Sequence, residues 1–436
     1  MLSDDQAPLN FSALIGVYLG INAISDAYLL VDSTDCSLYK TQYIHGRHDW
    51  NSSLLRTDGL HRIAFSNICV QGAVSNHEEP LRAKVRALDR ATGAGVVFVT
   101  AMPLCSLTCV DYGRMIRETA DLTGRAIDIP AESLTGDWLD GYATLLKAAA
   151  THLALPKIAR DPAKVAIVGH MMDRNEGDQQ GNLAEMRRLL TGLGLETASI
   201  WLSGGRFAEL AQAASAGTIV SLPYGRQAAR VLAQRTGAAL VETSLPFGLE
   251  ATERFLRDVA AATGRQDRAE AFIRAELSRV IPRLKWMLPY LFFNRKTLFV
   301  GDPHLAEGFS EIAEDLGLRL SACVVTGRAG RKDGPQGKAF PLLHEPGAAS
   351  EPFRRLLREP VDLAVASTCT MGEMFEEGAP VVELGFPSYW QHSVSNRPFL
   401  GFDGFLCFVD RMADALAGRL RHRSMERLEG KSGRLA

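Results

Sequence analysis

The sequence predicts an α/β protein made of three doubly wound, parallel-sheet units of Rossmann-like type. Uncharged, β-branched runs recur along the chain, and most end in a turn rich in Gly, Pro, Asp, Ser or Cys. Segments with helical spacing follow these turns, which is the pattern of strand–helix crossovers. The alternation restarts near Phe11, Lys164 and Lys296. At 436 residues the chain is also too long for one ordinary core. The expected division is 1–160, 161–290 and 291–420, with a charged tail over 421–436.

In the first unit, Leu14 to Ser25 reads as an apolar helix and Ala27–Val31 as a buried strand. Tyr39 to Leu60 is polar and holds His45, His48, Asp49 and Trp50, which read as a solvated loop. Ile63 to Val74 is a strand and loop containing Cys69. Glu78 to Ala91 places Leu81, Val85 and Leu88 on one helical face. Val96–Val99 is a second uncharged strand, stopped by Pro103, which has no N–H to give a ladder. Asp111 to Leu122 and Leu139 to Leu153 are further helices.

The second unit opens with the strand Lys164–Val168, followed by a polar, Gly-rich loop from Met171 to Gly181. A helix over Leu183–Leu190 is punctuated by Gly192 and Gly194. Thr197–Leu202 is a strand ending at Ser203-Gly204-Gly205, and Thr218–Ser221 and Ala239–Glu242 continue the series. Both Gly-rich loops could cradle phosphate. No Gly-x-Gly-x-x-Gly or Gly-Lys-Ser/Thr motif follows a strand, so they read as turns. The third unit has a strand at Lys296–Val300, a helix at Leu305–Leu316 and strands at Arg319–Val325, Val361–Ala366 and Val381–Pro387. The loop from Thr326 to Gly337, with Arg328, Arg331 and Lys332, reads as a charged surface loop. The tail from Arg421 is expected to fray.

Apolar residues make up 46% of the chain and charged residues 22%, with a net charge of −2. That balance gives no broad electrostatic reason to expect nucleic acid as a partner. No stretch approaches the roughly 18 uninterrupted apolar residues of a membrane helix. Met1 to Asn10 carries Asp4 and Asp5 and has no basic n-region, so no signal peptide is expected. Seven widely spaced cysteines, an odd number, argue against a disulfide framework and for a reducing cytoplasm.

The cysteines carry the chemistry. Cys36 and Cys105 each follow an uncharged β-run of the first unit, at the carboxyl end of a strand where open α/β sheets gather ligands. Asp32, Ser33, Thr34 and Asp35 lie beside the first, and Ser106 and Thr108 beside the second. Cys323, Cys369 and Cys407 lie in or beside apolar segments and read as packing residues. No Ser–His–Asp constellation or zinc spacing is visible.

The chain also resembles a known family. The carrying motifs are Pro380-Val381-Val382-Glu383-Leu384-Gly385-Phe386-Pro387, Arg397-Pro398-Phe399-Leu400-Gly401-Phe402-Asp403-Gly404 and Leu245-Pro246-Phe247-Gly248-Leu249-Glu250-Ala251-Thr252. Asp111 adds a helix start after Cys105. These resemble the catalytic-component subunits of nitrogenase and its relatives, dark-operative protochlorophyllide reductase and chlorophyllide reductase. The resemblance covers nearly the whole chain.

It implies an oxidoreductase subunit that takes electrons from an ATP-dependent iron–sulfur reductase. It also implies an iron–sulfur cluster, of 4Fe-4S type, shared at the interface with a homologous partner subunit or a second copy. The family usually uses three N-terminal cysteines. Cys36 matches the middle one and Cys105 the third, while no cysteine stands near Asn10 to Ser12, where the first belongs. Cys69 and Cys109 are further candidates at positions matching no family ligand. Leu400 stands where the nitrogenase branch has a cofactor-binding His, and Ser221 to Arg226 holds no Cys. Both departures argue against an iron–molybdenum type cofactor. The resemblance leaves the substrate open, small molecule or tetrapyrrole-like. Two alternatives stand beside the enzyme: a scaffold for assembling a metal cofactor, and a cluster-less structural partner subunit.

Overall fold

The computed structural model describes residues 10–34, 36–57, 59–68, 77–90, 94–102, 105, 110–122, 125–131, 136–327, 342–344, 351–368 and 378–432; for 36, 37, 352, 357 and 420–432 it describes the backbone. Three all-parallel sheets follow one another along the chain. The first contains β1 (Ala27–Asp32), β2 (Ile63–Phe65), β3 (Val96–Ala101) and β4 (Arg125–Asp128), in the order β2-β1-β3-β4. The second repeats that order with β5 (Asp161–Val168), β6 (Glu196–Ile200), β7 (Ala216–Ser221) and β8 (Ala239–Glu242), as β6-β5-β7-β8. The third contains β9 (Lys296–Gly301), β10 (Arg319–Val325), β11 (Leu342–His344), β12 (Leu363–Ala366) and β13 (Val381–Glu383), in the order β11-β10-β9-β12-β13. Three doubly wound, Rossmann-like units are therefore present. β1, β3 and β12 are buried along their whole length, so both faces are covered and the sequence reads as an uninterrupted apolar run.

The helices are α1 (Ala13–Asn22), α2 (Cys36–Lys40), α3 (Glu78–Asp89), α4 (Tyr112–Glu118), α5 (Trp138–His152), α6 (Gly177–Gly192), α7 (Arg226–Thr236), α8 (Leu249–Thr263), α9 (Gln266–Leu284), α10 (Pro303–Asp315), α11 (Glu351–Arg358) and α12 (Gly401–Ser432). One hydrophobic core runs through all three units, from Phe11 to Leu416. The other faces of the first and third sheets carry smaller cores of their own. Val97, Val99 and Cys105 belong to the one, and Leu298, Val300, Phe353 and Ala364 to the other.

A close helix–helix contact holds the two ends of the first unit together. α1 is buried on all sides. A Cβ on Gly16 would fall 1.7 Å from the Trp138 carbonyl oxygen, and one on Gly141 would fall 1.8 Å from the Ala13 carbonyl oxygen. The two backbones touch at both points, and a methyl group fits only if the helices separate. Gly141→Ala is expected to lower the unfolding free energy by about 3 kcal/mol. Urea denaturation checks this, and a midpoint unchanged from wild type would contradict it.

Several expectations are corrected. Residues Gly177 to Gly181, expected to be loop, form the opening turns of α6, because Asp178, Gln179 and Asn182 find buried partners there. Cys36, expected in a turn, is the first residue of α2. His48 and Asp49 are fully buried rather than solvated. His48 Nδ1 accepts from the Ser388 N–H at 2.9 Å, and Asp49 Oδ2 accepts from Asn22 at 2.7 Å and Asn175 at 2.9 Å, which ties the three units together. The backbone beyond Arg421 continues α12 to Ser432, since Arg, Leu, Met and Glu are good helix formers. The loop residues Arg328, Arg331 and Lys332 lie outside the described residues.

The C-terminal motif is a packing device. Asn182 Oδ1 accepts from the N–H groups of Phe399 and Leu400, at 2.9 and 3.0 Å. Gly401 has φ +75°, and a Cβ there would strike the Glu185 side chain. The mid-chain turn acts similarly: Gly248 has φ +104°, and the Thr252 hydroxyl donates to the Gly248 carbonyl at 2.6 Å.

Candidate functional site

The site begins with strand register. β1 and β3 are adjacent and parallel, with Asp32 opposite Ala101. Cys36 and Cys105 each stand four residues beyond that pair, so both cysteine-bearing segments leave the same edge of the same sheet. Cys105 is buried in the small core with Val97, Val99 and Met115. Burial, and then the Asp32 carboxylate, push its thiol up to about 11. Cys69 and Cys109, with Cys369, Ser106 and Thr108, lie outside the described residues.

Asp32 is fully buried at this edge. Its Oδ2 lies 2.9 Å from His77 Nε2 and accepts from the Tyr112 hydroxyl at 2.7 Å. Its Oδ1 is buried with no hydrogen-bond partner among the described residues. Such an orphaned oxygen is costly and marks a place where a further donor or cation fits. The Ser33 hydroxyl donates to the Thr34 carbonyl at 3.0 Å. Among the described residues no group of three or more His, Cys, Asp or Glu is placed to hold a metal ion by itself. Cysteine is the residue type that iron–sulfur groups take, and two cysteine-bearing segments leave adjacent strands here, with further ligands having to come from elsewhere. Cys323 is buried in β10 and Cys407 lies in α12.

A second feature is a cleft between the three units, expected from their succession along the chain, although the sequence singled out none of its lining residues. It encloses a cavity of about 30 Å³, and its lining includes Trp138, His170, Arg174, Tyr224, Asp302, Glu383, Phe386 and Arg411. Most of its charges are already paired. Arg174 grips Asp178 with Nε at 3.0 Å and Nη2 at 2.6 Å. The Glu383 carboxylate accepts from the N–H groups of Tyr389, Trp390 and Gln391 at 2.9, 3.0 and 2.7 Å. Burial holds Arg411 down to about 10. His170 differs: it is buried beside Gln179 and Asp173, and burial lowers it to about 4, so it is a neutral imidazole at pH 7.

Asp302 caps α10 through the His304 N–H at 2.9 Å and accepts from the Tyr224 hydroxyl at 3.0 Å. Burial raises its carboxyl to about 6, above the ordinary value of about 3.9. The folded state therefore holds this proton more tightly than the unfolded chain does. Its contribution to stability is full below about pH 4 and falls as pH rises towards 6. Asp302→Asn keeps the cap and the Tyr224 bond. It is expected to remove a pH-dependent loss on the order of 2 kcal/mol between pH 4 and 7. Denaturation at both pH values checks this, and parallel profiles for variant and wild type would contradict it.

Three parallel-sheet units thus meet around a polar cleft, with two cysteine-bearing segments leaving adjacent strands of one unit. The chain belongs to the nitrogenase component 1 type oxidoreductase family, whose model matches residues 12–417. It is 24% identical over 318 residues to a nitrogenase molybdenum-iron protein beta chain of Acidithiobacillus ferridurans, covering 64% of this chain and 60% of that protein. It is 24% identical over 341 residues to the beta chain of Methanococcus maripaludis, covering 70% and 71%. The chain thus spans less than two thirds of the length of the Acidithiobacillus relative. The structure of nitrogenase Cp1 at pH 6.5 superposes with a TM-score of 0.78 over 95% of this chain and 93% of that one, at 16% identity, which shows a shared fold.

Proposed function

We propose that this chain is a nitrogenase-like reductase subunit that holds an iron–sulfur cluster, of 4Fe-4S type, jointly with a homologous subunit or a second copy. Cys36 and Cys105 are its own ligands, with Cys69 and Cys109 as further candidates. The observation that carries this reading is the register of β1 with β3, which brings both cysteine-bearing segments to one sheet edge. Such a cluster, when bound, supplies one-electron relay. The chain's own residues do the rest. The strand ends fix the two cysteines, and His77 and Tyr112 hold the Asp32 carboxylate in place beside Cys105. The electron donor is an ATP-dependent iron–sulfur reductase, as the family resemblance implies. The substrate, a small molecule or a tetrapyrrole-like one, is reduced in the cleft between the units, which must widen to admit it and whose lining includes His170.

Two thiolates fall short of the four that such clusters normally take, so the functional species contains more than one subunit. Light scattering with iron analysis on anaerobically purified protein, alone and with a homologous partner, tests this. The expected result is iron in a species of at least two subunits. An active monomer carrying iron would overturn it. A cluster-less structural subunit is the second reading, favoured by the burial of the Cys105 thiol and its rise to about 11. A scaffold for cofactor assembly would bind iron but show no ATP-driven reduction of a substrate.

A further inference from the structure

Exposed aromatic side chains stand on two segments that join the first unit to the third. Tyr39, Trp50 and Trp390 are exposed by 68%, 68% and 69%, and Val394 is fully exposed. The segments that carry them are locked together. Tyr43 and Phe386 both pack on Phe11, with ring centroids 5.1 Å apart in each pair. The Arg47 guanidinium lies over the Tyr389 ring at 5.8 Å, and the Trp50 ring stacks on His392 at 4.2 Å. Two buried carboxylates fix the backbones of the tryptophans. Glu176 Oε1 accepts from the Trp50 N–H at 3.1 Å and lies 2.8 Å from His392 Nδ1. Glu383 Oε2 accepts from the Trp390 N–H at 3.0 Å. Buried carboxylates that hold exposed rings preorganise a contact surface, because a partner then need not order it.

We propose that this face docks a second copy of the chain across a two-fold axis, bringing the two cysteine-bearing edges together. The inference rests on the cluster reading above. Cys36 and Tyr39 are three residues apart on α2, so they share one side of that helix. A subunit that adds ligands beside Cys36 therefore also covers Tyr39. A lipid surface supplies no thiolate. A second copy supplies Cys36 and Cys105 again, and two from each copy make the four that such a cluster takes. Trp, Tyr and Arg are also the residues that carry most of the energy at protein contacts, and this face presents all three.

Light scattering with iron and sulfide analysis, on the full chain purified anaerobically without any partner, tests the proposal. The wild type is expected at twice the chain mass. Trp50→Ala and Trp390→Ala should each weaken self-association about thirtyfold. Val394→Asp alters a fully exposed side chain, so it should weaken self-association at an unchanged melting temperature. Trp286→Ala, exposed by 67% between α9 and β9, should leave the mass unchanged. A monomeric wild type would overturn the proposal, as would a face that the variants show to bind only vesicles or only a different homologous subunit. A dimer without iron, lost in the three variants, would overturn the cluster reading and leave this face standing. An iron-bearing dimer that all three variants keep would overturn the face and leave the cluster reading standing.

Discussion

Cys36→Ala and Cys105→Ala will each abolish electron transfer from the reductase while leaving the protein folded. Both cysteines leave one sheet edge, and neither can be replaced by a neighbour among the described residues. Truncating the Cys105 thiol removes a small buried group, which costs about 1–2 kcal/mol of stability, so the variant stays soluble. Loss of a thiolate ligand leaves an iron open to water or lost altogether. The measurement is the rate of ATP-driven reduction in the presence of the partner subunit, expected to fall at least a hundredfold. Cys323→Ala and Cys407→Ala, away from this edge in β10 and α12, should retain that rate within about twofold.

The second large effect is on the fold. Arg62 is 1% exposed, and burial lowers its guanidinium to about 10, so it remains charged at pH 7. Its Nη1 donates to the carbonyls of Ile21, Ile24 and Ala27 at 3.0, 2.6 and 3.0 Å. Its Nε and Nη2 donate to the Ser53 carbonyl and hydroxyl at 3.2 and 3.0 Å. One side chain thus closes the end of α1 and the entry to β1. Arg62→Met fills similar space and leaves these buried acceptors unsatisfied, at an expected cost of about 3–5 kcal/mol. Arg62→Lys keeps the charge but loses the planar fork, and should fall between the two. Chemical denaturation measures both, and a loss below about 1 kcal/mol for Arg62→Met would contradict this role.

Strands buried on both faces were legible in the sequence because burial leaves their runs free of charge: Ala27 to Val31, Val96–Ala101 and Leu363–Ala366 are examples. β4 was not, because it lies at a sheet edge and carries Arg125 and Asp128. α9 was hidden by its mostly polar surface and by Pro282 near its end. That Cys36 and Cys105 follow adjacent strands was legible because an uncharged β-run is a local signal. The Asp32 network could not, since His77 and Tyr112 lie 45 and 80 residues away. The burial of His48 was equally hidden, because its partner Ser388 is 340 residues distant. The Gly-rich motifs that carried the family resemblance mark close packing between units, which a sequence records without saying what touches what.

The most direct test of the cluster assignment is iron and acid-labile sulfide in anaerobically purified protein, co-expressed with its homologous partner, for wild type and for the double variant Cys36→Ala, Cys105→Ala. The expected result is iron and sulfide in the wild-type complex and neither in the double variant, with the mass of the complex unchanged. Equal iron and sulfide in both, with the same electron paramagnetic resonance spectrum, would contradict the assignment of these two cysteines.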